Sequence, residues 1–245
     1  MEKEKLVINT LVFLDDLKSG VEQSVIINKV NKLGIKNVEV RREFIKDFNK
    51  EILDIKEKAI KYNIDLFYSI PEWIFKEDKL RRDDIERYFN EAYNMNCHNV
   101  KMNIGQINEL LVEDIKAIDE LCRKYMINLT VENDQTAENG RLEKIYNFLK
   151  KNRELGGNIS FTFDVGNWIF QEEDPIKNSE LLKYFVTYIH LKNIDENRKN
   201  VLLDEGILNI EKILNNLPKN LPMALEYPCT SIEEVELEIK KALKL

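Results

Sequence analysis

Short apolar runs rich in β-branched residues recur along the chain at Leu6–Phe13, Asn37–Arg41, Ile64–Ile70, Asn99–Ile104, Ile127–Glu132, Ile159–Asp164, Tyr188–Lys192 and Pro222–Tyr227. Each has the length and composition of a buried strand. The intervals between them carry apolar residues at helical spacing, beginning with Val21, Val25 and Leu33, then Ile52, Ile55 and Ala59, and Ile85, Tyr88 and Ala92. The pattern continues through Leu110, Ile115, Ile118 and Leu121, then Leu142, Ile145, Phe148 and Leu149, to Leu181, Leu182 and Phe185, Ile210, Ile213 and Leu214, and Val235, Ile239 and Leu243. Ser231 followed by Glu234 predicts a capping box at the start of the last helix, in which hydroxyl and carboxylate satisfy free amides of the first turn.

Strand and helix thus alternate to the C-terminus with the roughly thirty-residue period of a βα unit. No Pro/Gly/Ser-rich linker, composition break or low-complexity tract interrupts the alternation. The expectation is one domain over residues 1–245, α/β in class, folded as a (β/α)8 TIM barrel, with an open doubly wound sheet as the competing architecture.

Alternate residues of a barrel strand point to the axis or to the helices. If Leu129 and Val131 face outward, Thr130 and Glu132 face inward; Phe161 and Phe163 likewise leave Thr162 and Asp164 inward. The same phase places Tyr188, His190 and Lys192, and Ala224 and Glu226, toward the axis. Four successive strands therefore present Glu132, Asp164, His190 and Glu226 at their C-terminal ends, where barrels of this kind assemble their sites. Carboxylates gathered this closely resist ionisation together, and a divalent cation compensates them while a neutral imidazole completes the shell. The expected cofactor is one divalent metal ion, with manganese, magnesium, cobalt and zinc all compatible with the ligand set.

Taken singly, a strand-end acid is more often a rim ion pair or a helix cap, and a lone strand histidine more often a satisfied core residue; the joint pattern favours ligation. His98 has no such support. Glu39, Arg41, Lys101 and Asn103 also have inward phase, and Glu39 with Arg41 or Lys101 reads as a structural ion pair. Trp168, Trp73 and Phe67 could form an apolar wall for a ligand or simply close the core.

Charge narrows the partners. The 37 basic and 44 acidic residues give a net charge of −7 and are mixed throughout, without a basic block to track phosphates, so nucleic acid is not expected. No apolar stretch approaches the roughly eighteen residues of a membrane span, and the start Met1-Glu2-Lys3-Glu4-Lys5 is not a secretory signal. A cytoplasmic protein is expected. Cys97, Cys122 and Cys229 have neither disulfide nor zinc-site spacing and read as buried thiols.

Val131-Glu132-Asn133, Phe163-Asp164-Val165-Gly166-Asn167-Trp168, Tyr188-Ile189-His190-Leu191-Lys192-Asn193 and Leu225-Glu226-Tyr227 occur in an order and spacing that resembles the xylose isomerase-like TIM barrel superfamily, in its sugar phosphate isomerase/epimerase branch. Asp204-Glu205-Gly206 resembles the Gly-rich loop that follows the metal histidine in such proteins. The resemblance implies a metal-dependent sugar isomerase or epimerase acting on a ketose or sugar phosphate. Glu132 and Glu226 would exchange a proton with carbon through a metal-stabilised enediolate, and Asp164 and His190 would be mainly ligands. It places Asn167 and Lys192 on substrate oxygens from the rim, with Lys101 as a further substrate-binding candidate.

Two departures bear on the substrate. Asn167 stands where many relatives have a histidine, and Glu196 where free-sugar 3-epimerases have an arginine. Other functions compatible with the pattern are an inosose dehydratase-like enzyme acting on a keto-polyol, an abasic-site endonuclease, disfavoured by the scarcity of histidine, and a non-catalytic sugar-binding barrel. The expected partner is a small sugar or sugar phosphate, with neither nucleic acid nor membrane, in a possible homo-oligomer.

Overall fold

The computed structural model describes residues 1–245. Eight parallel strands close on themselves: β1 (Leu6–Asn9), β2 (Asn37–Arg41), β3 (Asp65–Lys76), β4 (Asn99–Gly105), β5 (Asn128–Glu132), β6 (Ser160–Asp164), β7 (Val186–Leu191) and β8 (Met223–Leu225). Closure is set by β1 against β8, with Val7 opposite Ala224, and by β1 against β2, with Asn9 opposite Glu39. The competing open sheet is thereby excluded, and the fold is a (β/α)8 barrel.

The crossover helices are α1 (Gln23–Lys32), α2 (Phe48–Tyr62), α3 (Arg82–Asn94), α4 (Val112–Tyr125), α5 (Leu142–Glu154), α6 (Pro175–Leu182), α7 (Ile210–Asn216) and α8 (Ile232–Ala242). Their starts follow from short polar side chains that accept first-turn amides. Asp47 caps α2, Asp174 caps α6 with Pro175 in the first turn, and Asn209 caps α7. At α8 half of the expected capping box forms: Ser231 Oγ accepts from the Glu234 amide at 3.2 Å. The Glu234 carboxylate instead accepts from the amide of Thr230, one residue earlier, at 2.5 Å.

Two strand boundaries differ from the sequence pattern. The first apolar run is strand only to Asn9, because the Asn9 side chain accepts from the Leu11 amide and winds Thr10–Phe13 into a 3-10 turn. The third continues well past Ile70, through Pro71 to Lys76, where it forms a short hairpin with Lys79–Leu80. Gly105, at φ +80°, ends β4 beneath this extension; a Cβ there would lie 2.2 Å from the Phe75 carbonyl oxygen, so only glycine fits.

The apolar core lies between strands and helices as one cluster of 60 buried residues, whereas Val7, Phe67, Tyr188 and Ala224 form a separate group of four inside the barrel. Burial outside the barrel therefore dominates stability, at about 1.5–3 kcal/mol for each fully buried large side chain. Buried acids brace this outer layer: Glu91 takes a bidentate pair from Arg42 and the hydroxyl of Tyr68, and Glu238 accepts from Tyr227 and the Leu203 amide. No helix is long and apolar enough to cross a membrane.

Candidate metal centre

The barrel's inward phase delivers Glu132 and Asp164 as the last residues of β5 and β6, and His190 one residue before the end of β7. Glu226 follows β8 directly and is held in line by its amide, which donates to the Leu191 carbonyl at 3.1 Å. All four are buried, and one ligand atom from each lies within 4.8 Å of the others.

Each ligand is aimed by neighbours. Asp164 Oδ1 accepts from the amides of Gly166 and Asn167 at 2.9 and 2.8 Å, which leaves Oδ2 toward the axis. Asn133 bridges the strand ends, accepting from the Asp164 amide and donating to its carbonyl. His190 Nε2 stands 3.0 Å from Glu39, whose carboxylate also receives Asn9 Nδ2 at 2.8 Å and the Tyr188 hydroxyl at 3.1 Å. The imidazole is thus turned with Nδ1 toward Glu132 Oε1 at 2.6 Å and Glu226 Oε2 at 3.2 Å.

Glu132 Oε1, Asp164 Oδ2 and His190 Nδ1 make no hydrogen bond of good geometry, although Glu132 Oε1 lies 2.6 Å from His190 Nδ1 and Asp164 Oδ2 lies 2.7 Å from Lys192 Nζ. Buried polar atoms are rarely left so, and here they belong to the residues whose ligand atoms lie within 4.8 Å of one another. Three carboxylates and an imidazole with outer hydrogen bonds are a donor set that could hold a divalent cation, and the orphaned atoms are the ones such an ion would satisfy.

The electrostatics carry a feature that strand phase alone did not reveal. Each carboxylate of the quartet already has a basic partner. Lys101 Nζ lies 2.5 Å from Glu132, Lys192 Nζ 2.7 Å from Asp164 and 3.0 Å from Glu226, and an Arg41 nitrogen 2.7 Å from Glu226. Burial pushes the Asp164 carboxyl up to about 7, since Lys192 only partly offsets the desolvation. Burial acts the same way on Glu132, but Lys101 and His190 outweigh it and hold that carboxyl at about 2. Glu226 lies well below the usual range: burial works to raise it, and His190 and Lys192 prevail. Burial disfavours a charged His190, yet Glu226, Glu39 and Glu132 together raise its pKa well above that of free imidazole. The surrounding carboxylates thus favour the protonated imidazole, whereas ligation of a metal requires the neutral one.

Several expectations from the sequence change. Glu39 pairs with neither Arg41 nor Lys101; it holds His190, Asn9 and Tyr188, while Arg41 reaches across to Glu226 and to Glu43. Lys192 and Asn167 are not rim residues but buried ones, and Lys101 is buried in line with its inward phase. The Asn167 amide donates to the Asn133 carbonyl at 2.9 Å, and its Oδ1 has no partner. Trp168 is fully buried against Phe161 and Phe163 on the helix side, and Phe67 stacks on Tyr188 at 4.7 Å below the centre; neither walls a sugar. Trp73 is half-buried at the mouth, beside Gly105. Gly206 closes its loop over Asn193, which binds the Leu203 carbonyl and the Leu208 amide. A cavity of about 300 Å³ lies at the opposite, N-terminal end of the barrel; it reaches Glu39 and Lys101 but none of the quartet.

The comparisons with known proteins agree with this architecture. No curated protein sequence matches the chain. Among solved structures, D-psicose 3-epimerase determined in the presence of D-fructose is 16% identical, with a TM-score of 0.72 over 98% of this chain and 97% of that one. The probable 3-DHS dehydratase AsbF of Bacillus anthracis is 14% identical, with a TM-score of 0.72 over 98% of both chains. The IolI protein with a bound zinc atom is 13% identical, with a TM-score of 0.72 over 98% of this chain and 96% of that one. Likeness at this level of identity shows the fold. A family profile described as xylose isomerase-like TIM barrel matches residues 27–245, most of the sequence, and the chain belongs to that family.

Proposed function

We propose that the protein is a metal-dependent isomerase or epimerase of a ketose or ketose phosphate, its whole length serving as one barrel domain. The observation that carries this reading is the gathering of two glutamates, Glu132 and Glu226, at His190 Nδ1, at 2.6 and 3.2 Å, with Asp164 completing the quartet. Glu132, Asp164, His190 and Glu226 hold the ion. A dication there polarises adjacent carbonyl and hydroxyl oxygens of the substrate and compensates charge that develops on them.

The chain's own groups do the rest. Glu132, held at about 2 in the metal-free centre, is ionised at neutral pH and able to accept a proton from the carbon next to a carbonyl. Glu226, ionised as well, would take a proton relayed from solvent through Lys192, whose ammonium donates to it at 3.0 Å, and pass that proton to the enediolate. Delivery to the same carbon from the opposite face gives epimerisation, and delivery to the neighbouring carbon, with a proton moving from one oxygen of the enediol to the other, gives aldose–ketose isomerisation. The orphaned Asn167 Oδ1 accepts a substrate hydroxyl. Structural similarity to D-psicose 3-epimerase and to zinc-bound IolI is consistent with this reading.

The test is solvent deuterium incorporation at carbon across a panel of ketoses and ketose phosphates, after removal of metal by chelator and restoration of single divalent ions. Metal-dependent exchange that disappears in both Glu132→Gln and Glu226→Gln supports the proposal. Tight metal binding without exchange on any of these substrates rejects it.

A further inference from the structure

Barrels of this architecture fill their interior with layers of bulky branched side chains. The N-terminal end of this one is lined instead by short polar residues. Strand pairing sets Phe67 beside Asn99 and Asn99 beside Asn128, and in the next layer Lys101 beside Thr130 and Thr130 beside Ser160. Residues paired in this way share one face of the sheet, here the face toward the axis. The axial apolar group is limited to Val7, Phe67, Tyr188 and Ala224, and the space that a layer of Leu and Ile would fill is left as the cavity of about 300 Å³.

The cavity reaches from Asn128 and Thr187, both exposed, to Glu39 and Lys101, both buried. Part of its wall is apolar, made by Phe67 and Tyr188, stacked at 4.7 Å, with Val100 and Pro222. The two charges are already committed: Glu39 holds Asn9, Tyr188 and His190, and Lys101 lies against Glu132 at 2.5 Å. An ion entering there would meet a carboxylate and an ammonium together, each paired, and would give up its hydration for no net attraction.

Free polar groups are few and lie toward the mouth. The Thr130 hydroxyl bonds that of Thr162 at 2.6 Å, and Asn128 Nδ2 donates to Asn99 Oδ1 at 3.3 Å, which leaves mainly the hydroxyls of Ser160 and Thr187 and the other amide atoms of the two asparagines. A polyol would bury several hydroxyls against the aromatic wall without partners. A flat ring with one polar group lays its apolar body on that wall and keeps the group at the mouth. The volume, at the small end of the range for ligand pockets, suits a single ring.

We propose that this cavity is a second binding site, at the end of the barrel opposite the quartet, for a small uncharged aromatic molecule carrying one amide or hydroxyl group. The site does not depend on the metal-centre reading.

The test uses the full chain without added metal and benzamide as the probe, followed by ¹H–¹⁵N nuclear magnetic resonance. Saturable shifts are expected at the backbone amides of Asn99, Asn128, Ser160 and Thr187, with a dissociation constant of about 1 mM or lower. Benzoate, the same ring with a charge, and D-fructose, a polyol, are expected to bind at least about tenfold more weakly when read at the same amides. Ser160→Phe puts a ring into the cavity, and Thr187→Trp, at an exposed position, covers its mouth; each is expected to weaken benzamide at least about tenfold. If Ser160→Phe does not fold, Thr187→Trp decides. No saturable shift, shifts centred away from the cavity, benzoate or D-fructose within tenfold of benzamide, or undiminished binding in a folded variant each overturns the inference, whatever the quartet proves to bind.

Discussion

His190 and Glu39 form a buried pair, Nε2 to carboxylate at 3.0 Å, that fixes which imidazole nitrogen faces the carboxylate quartet. Such outer hydrogen bonds set ring orientation and basicity, and their loss weakens metal affinity by about 10–100-fold. Glu39→Gln is expected to raise the Mn²⁺ dissociation constant within that range while leaving the circular-dichroism spectrum unchanged. Undiminished affinity would show that packing alone orients the ring.

Metal binding should release protons. In the metal-free centre the His190 pKa is raised well above that of imidazole, and Asp164 is pushed up to about 7. Below about pH 7 both groups favour their protonated forms before metal binds, and neither keeps its proton when it ligates, so affinity for Mn²⁺ rises with pH between 6 and 8, faster below neutrality than above it, where Asp164 is already largely ionised. Calorimetry in buffers of different ionisation enthalpy measures the proton count directly; affinity independent of pH would contradict the assignment.

Lys192 competes with any cation for Asp164 and Glu226. Lys192→Met is therefore expected to lower the melting temperature of the chelator-treated protein, because buried Asp164 loses its basic partner and Glu226 keeps only Arg41, and to tighten Mn²⁺ binding. The stabilisation that saturating Mn²⁺ confers should be larger in the variant than in the parent. A smaller metal-induced rise would mean that Lys192 assists loading instead of opposing it.

Gly105→Ala tests the backbone at the mouth. The position combines φ +80° with a Cβ site 2.2 Å from the Phe75 carbonyl, and the hairpin strand cannot yield without shifting Trp73 as well. The substitution should cost about 1–3 kcal/mol, the range for forcing a side chain onto a strained backbone, read by urea denaturation.

How far the fold could be read from the sequence depended on which face of each strand carried the signal. Residues such as Leu129, Val131, Phe161 and Phe163 advertise the outer layer through period-two alternation, and the same alternation places Thr130, Glu132, Thr162 and Asp164 on the axis. Strand phase thus made the quartet legible. It carries no information about reach across the barrel, so the ion-pair partners were not legible: Arg41 was expected beside Glu39 and instead crosses to Glu226, while Lys101 and Lys192, inward as their phase implied, pair with the quartet's carboxylates. The early end of β1 was hidden for a related reason, since Leu11, Val12 and Phe13 are as apolar as a strand. Only the bond from the Leu11 amide to Asn9 diverts the chain.

The split between an outer core of 60 residues and an axial group of four has a consequence for how such a protein can change. Because little of the chain's cohesion passes through the axis, inward positions such as Thr130, Thr162 and Lys101 can be exchanged one at a time while the architecture persists. New specificities can then arise on an inherited frame without the molecule passing through an unfolded ancestor.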